Sequence, residues 1–120
     1  MGISNAVTLF NQQLFYEAHE VLETQCWYPL PRSPEKLFFQ GLIQLCAAFV
    51  HWQRNKAYGF HKKLQQANHK LSGVWLLYGN APYLATVNLA VLLPQLTALQ
   101  QQAPLLPANP ITLSQQNTYS

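Results

Sequence analysis

Apolar residues recur along most of the chain at intervals of three and four, and nowhere in strict alternation, so the pattern predicts helices and no strands. Phe15, Ala18, Leu22 and Cys26 fall on one side of a helix expected from about Gln13 to Cys26, with Leu14 and Val21 at its margin. A short helical turn over Ser4 to Phe10 precedes it, with Asn11 as the expected N-cap between them. Trp27 to Pro34 then holds Pro29, Pro31 and Pro34 and cannot continue a helix. Ser33, Pro34 and Glu35 supply a capping hydroxyl, a proline suited to the first helical position and an acid favoured by the helix dipole. A second long helix is therefore predicted from Pro34 to Gln53.

The main apolar side of that helix, Phe38, Leu42, Leu45, Cys46, Phe49 and Trp52, is widened by Phe39, Ile43 and Val50, as befits a helix buried on more than one side. Gln40, Gln44, Ala47 and His51 form a row along the remaining side, with the small Gly41 and Ala48 beside it. After Arg54-Asn55-Lys56, a third helix is predicted from Ala57 to Tyr78. Its core stripe is Phe60, Leu64, Ala67, Leu71, Val74, Trp75 and Tyr78, and Gly79-Asn80 closes it. A fourth falls within Leu84 to Gln102, striped by Leu89, Leu92, Leu93, Leu96 and Leu99, with Pro94 expected to kink or restart it. Ala103 to Leu113, with three prolines, reads as an extended strap. The expected architecture is all-α: four main helices plus a short leading one, as a single domain over residues 1–113 with a mobile tail over 114–120.

Composition narrows the function classes. The 120 residues suit one hydrophobic core; 49% are apolar and only 9% charged, against about 25% charged in an average soluble chain. The net charge of +3 reflects scarce acids rather than abundant bases. Lys56, Lys62, Lys63 and Lys70 gather with His61 and His69 into a modest basic face, which a solvated helix surface explains as well as nucleic acid does; nucleic-acid binding is the weaker alternative. Cys26 and Cys46 lack metal-ligand spacing and read as buried free thiols. The start of the chain does not resemble a signal peptide and no run is long enough to span a membrane, so a cytoplasmic, soluble protein is expected.

Candidate chemistry concentrates in Phe15 to Glu23, FYEAHEVLE, which carries three of the four acidic residues and one of the four histidines. His19 and Glu23, four apart, meet on one helix face; Tyr16, Glu20 and Trp27 continue that flank, whereas Glu17 points away. If the Gln40, Gln44, His51 row faces this flank, a polar pocket forms between the first two long helices. One reading makes this a buried polar network that ties the bundle together, without a reaction and in a self-associating protein. Another makes His19, Glu23 and His51 ligands of a divalent metal, or His19 a general base oriented by Glu23, with Glu20, Gln40, Gln44 and Trp27 as ligand-binding candidates in support. Whether the chain is an enzyme stays open. The bland alternatives are equally definite: Glu17 and Glu20 pairing with Arg32 or Lys36, His51 capping carbonyls, and Gln40 and Gln44 serving backbone groups near the proline-rich loop.

The string FNQQLFYEAHEVLE from Phe10 to Glu23, then Trp27, then PEKLFFQGLIQLCAAFVH from Pro34 to His51, then Asn55 and Gly59, resembles domain-of-unknown-function family 309. The resemblance runs from about Phe10 to Leu77, and Pro110 to Leu113 is similar to that family's closing segment. It implies a small helical bundle, found mostly in bacteria and archaea with cyanobacterial and plastid members, and no assigned activity. Arg54 stands where a Gly precedes Asn55, Phe60 where an Ala follows Gly59, and Lys36 where an Arg is common; these departures bear on the turn before the third helix.

Overall fold

The structure, a computed structural model, describes residues 2–115, apart from the side chains of residues 83 and 85. Helix α1 spans Gly2–Asn11 and α2 spans Phe15–Val21; α2 continues directly into a π-helical turn over Leu22–Trp27. Then come α3 (Pro34–Gln53), α4 (Ala57–Tyr78), a 3₁₀ turn (Pro82–Thr86) and α5 (Leu89–Gln101). No strand occurs among the described residues, and the expected all-α bundle is what forms.

α3 and α4 have the predicted limits. Ser33 Oγ accepts the Lys36 N–H at 3.2 Å and Pro34 opens α3, as the capping chemistry demands. Asn55 makes the left-handed turn to α4 with φ of 56°, a conformation asparagine tolerates, so Arg54 in place of a glycine leaves the turn intact.

Several expectations change. The leading helix extends to Asn11, which is therefore no N-cap; its amide instead pairs with Leu113, donating to the carbonyl at 2.8 Å and accepting the N–H at 2.7 Å. Gly79 keeps a right-handed φ of −58° rather than the left-handed cap. α5 runs through Pro94 as one helix, because Pro94 and Ala90, whose carbonyl loses its partner, are both exposed to water. Trp75 and Tyr78 lie outside the core stripe, with Tyr78 43% exposed.

The core is aromatic at its centre. Phe49 of α3 stands 5.7 Å from Phe10, 5.3 Å from Phe15 and 5.3 Å from Phe60, ring centre to ring centre, which joins α1, α2, α3 and α4 in one cluster. Edge and tilted contacts of this kind add to the area each ring buries. The segment after α5 has no regular structure and crosses this end of the bundle. Trp52 Nε1 donates to the Pro107 carbonyl at 2.8 Å, His61 Nε2 meets the Leu105 carbonyl at 2.7 Å, and Leu113 is buried. Ser114 and Gln115, the first residues of the tail expected to be mobile, bond Asn88 and Ser4; the rest of that tail lies outside the described residues.

Candidate functional site

α2 turns Phe15 and Ala18 fully inward and leaves His19 and Glu20 half-buried at the margin. The predicted α-helix to Cys26 gives way at Leu22 to the π turn, in which the Tyr28 N–H reaches back five residues to the Glu23 carbonyl at 2.9 Å. Thr24 Oγ1 donates to the Glu20 carbonyl at 2.8 Å where the register changes. Such interruptions occur disproportionately at functional sites.

At this junction His19, Glu20 and Glu23 each present one ligand atom, all within 4.8 Å of one another. Nδ1 of His19 is buried without a hydrogen-bond partner, and the Tyr16 ring lies parallel to the imidazole, centres 6.3 Å apart. No polar or charged residue is fully buried among those described, so the motif forms a half-buried surface cluster and not a buried network between helices. No ion pair joins any two described residues, and the expected pairing of Glu17 or Glu20 with Arg32 or Lys36 is not made: Lys36 Nζ donates to the Leu30 carbonyl at 2.8 Å and sits 4.4 Å from the centre of the Trp27 ring. Two neighbouring carboxylates are thus left without a cationic side chain.

His51 does not join the cluster. Its ring packs on Gly59 of α4, where a β-carbon would come within 2.6 Å of Nδ1. Gln44 likewise turns to α4, its amide end 3.3 Å from the Gln66 carbonyl and 3.2 Å from Lys70 Nζ, and the amide orientation that aims nitrogen at the carbonyl and oxygen at the ammonium satisfies both. The physical reason is the row of small residues. Gly41 lies so close to α4 that a β-carbon would stand 2.8 Å from Leu71, and α3 and α4 consequently form the most extensive helix contact of the fold. Burial pushes the His51 imidazole below its ordinary value of 6.5, and the charges of Arg54, Lys63 and Lys56 push it the same way. Burial raises both thiols: Cys26, helped by the charge of Glu35, and, far more strongly, the fully enclosed Cys46.

Gln40 and Trp27 meet elsewhere. They line a cavity of about 700 Å³ with Arg32, Ser33, Pro34, Lys36, Leu37 and Tyr78. A second cavity of about 500 Å³ is bounded by Glu23, Thr24, Trp27 and Tyr28, so Trp27 belongs to both. Sequence reasoning missed Arg32, Lys36 and Tyr78 here. The four-residue spacing of two cations across a helix start was a signal; the arrival of Tyr78 from the far end of α4 had none.

A comparison with family models matches residues 3–63, about half of the chain, to a family described as Domain of unknown function (DUF309). No curated protein matches the chain.

Proposed function

The chain belongs to the DUF309 family, which carries no assigned reaction, and from that premise we propose that its EAHEVLE helix holds a divalent metal ion through His19, Glu20 and Glu23. One observation carries the reading: the three ligand atoms lie within 4.8 Å of one another, close enough for small side-chain rotations to bring all three to one zinc or harder cation. An imidazole with two carboxylates suits zinc, manganese or ferrous iron. The ion would relieve the repulsion between Glu20 and Glu23. With three protein ligands an ion would keep room for water or a small molecule, and Glu23 also borders the smaller cavity, which supports water activation or small-molecule ligation as the site's chemistry.

Calorimetric titration of metal-free, tag-free protein with Zn²⁺ and Mn²⁺ is the test. Stoichiometric binding is expected, weakened about tenfold or more in Glu20→Gln and Glu23→Gln and unchanged in His51→Gln. Absence of binding, or binding unaltered in both glutamate variants and in His19→Ala, would overturn the reading.

A further inference from the structure

We infer that the larger cavity, between the proline-rich loop and the end of α4, binds a small organic anion: a carboxylate or phosphate carried on a flat or apolar body. Its volume of about 700 Å³ falls within the roughly 300–1,000 Å³ of small-molecule sites. Its charge is one-sided. The wall contains Arg32 and Lys36, two of the chain's seven Lys and Arg residues, and none of its four acidic residues. Glu35, between the two cations in sequence, is not part of the wall.

The two cations are differently held. Lys36 is fixed in place, its Nζ bonded to the Leu30 carbonyl at 2.8 Å and lying over the Trp27 ring, so most of the ordering a ligand would impose is already done. An ammonium has three N–H donors and only one is used at Leu30, which leaves others for an oxyanion. Arg32 is exposed and makes no ion pair or hydrogen bond among the described residues, so its planar fork is free for two-point contact with a carboxylate or phosphate. The positive end of the twenty-residue α3 adds its field in the same direction, although its Lys36 N–H is already taken by Ser33. Trp27, Leu37 and Tyr78 offer ring and aliphatic surface for the body of the ligand, and the Gln40 amide a single polar contact. The site owes nothing to His19 or Glu20, which lie outside its wall, and stands whether or not a metal binds there.

The test uses the full chain in the presence of a chelator, with phenyl phosphate and benzoate as anionic probes and benzyl alcohol as the neutral control. Binding is read from the Trp27 indole N–H resonance and by calorimetry. At least one anion is expected to bind with Kd of about 1 mM or tighter, with benzyl alcohol about tenfold weaker or worse. Which anion binds more tightly distinguishes a phosphorylated from a carboxylated ligand. Arg32→Gln should keep the wild-type melting temperature and weaken binding about tenfold, one charge-assisted contact being lost; Lys36→Gln should weaken it independently. The inference fails if neither anion moves the Trp27 resonance at about 10 mM, if benzyl alcohol binds as well as the anions, or if both variants bind like the wild type.

Discussion

The imidazole of His51 is hemmed in by Gly59 on one side and by three positive side chains, Arg54, Lys56 and Lys63, around it. Both influences disfavour its protonated form in the folded protein, whereas the unfolded chain protonates freely near the ordinary value of 6.5. Below that value the unfolded state therefore binds the extra proton first. Stability from this group is complete above about pH 7 and falls as the pH drops through 6.5 toward the lower folded value. Thermal melts at about pH 7.5 and about pH 5.5 should show a decline that is smaller in His51→Gln than in the wild type; equal declines would mean that the ring is not desolvated as described. A histidine near a helix end is visible in the sequence. Its environment is not, because Gly59 and Lys63 reach it only after α4 has folded back.

At the level of elements, two glycines of the central helix pair behave oppositely. Gly41 sits in the α3–α4 contact, where a β-carbon would be 2.8 Å from the buried Leu71, and Gly73 on α4 has nothing within 4 Å. Gly41→Ala should lose about 1–3 kcal/mol to overpacking, partly offset by better helix propensity, while Gly73→Ala should gain up to about 1 kcal/mol. Chemical denaturation of the two variants checks the contrast, and a neutral Gly41→Ala would show that the helices can move apart at little cost. α3 and α4 could be read from the sequence to the residue because their signals are local: a capping serine with proline, a turn at Asn55, and long apolar stripes. The π turn could not. An α pattern is enough to put His19, Glu20 and Glu23 on one flank, yet nothing in LETQCW announces the change of register that begins at Leu22. The partner of the Gln40 to His51 row was ambiguous for a related reason. Small residues declare that some helix comes close, and it is tertiary packing that selects α4.

For the whole molecule, the Cα radius of gyration is 13.4 Å, what about 120 compactly packed residues should have. The ends are drawn together, since Asn11 near the start holds Leu113 by two hydrogen bonds and Ser4 meets Gln115. Half of that arrangement was legible as a proline-rich segment following the last helix; that its carbonyls would meet Trp52 and His61 depends on side chains brought from α3 and α4. Hydrophobic contact and neutral or backbone hydrogen bonds carry this fold, and the charged groups are spread thinly over its surface.

The lack of ion pairs among the described residues has an unusual corollary for ionic strength. In a protein whose surface charges attract one another, mobile ions weaken the attraction; here the close charge encounter is Glu20 beside Glu23, and screening relieves it. Raising sodium chloride from ~0.05 M to ~0.5 M should therefore leave the melting temperature of the metal-free protein level or slightly higher. A falling curve would point to attractive charge contacts as a source of its stability, and would place this sparsely charged bundle among proteins that fresh water suits better than brine.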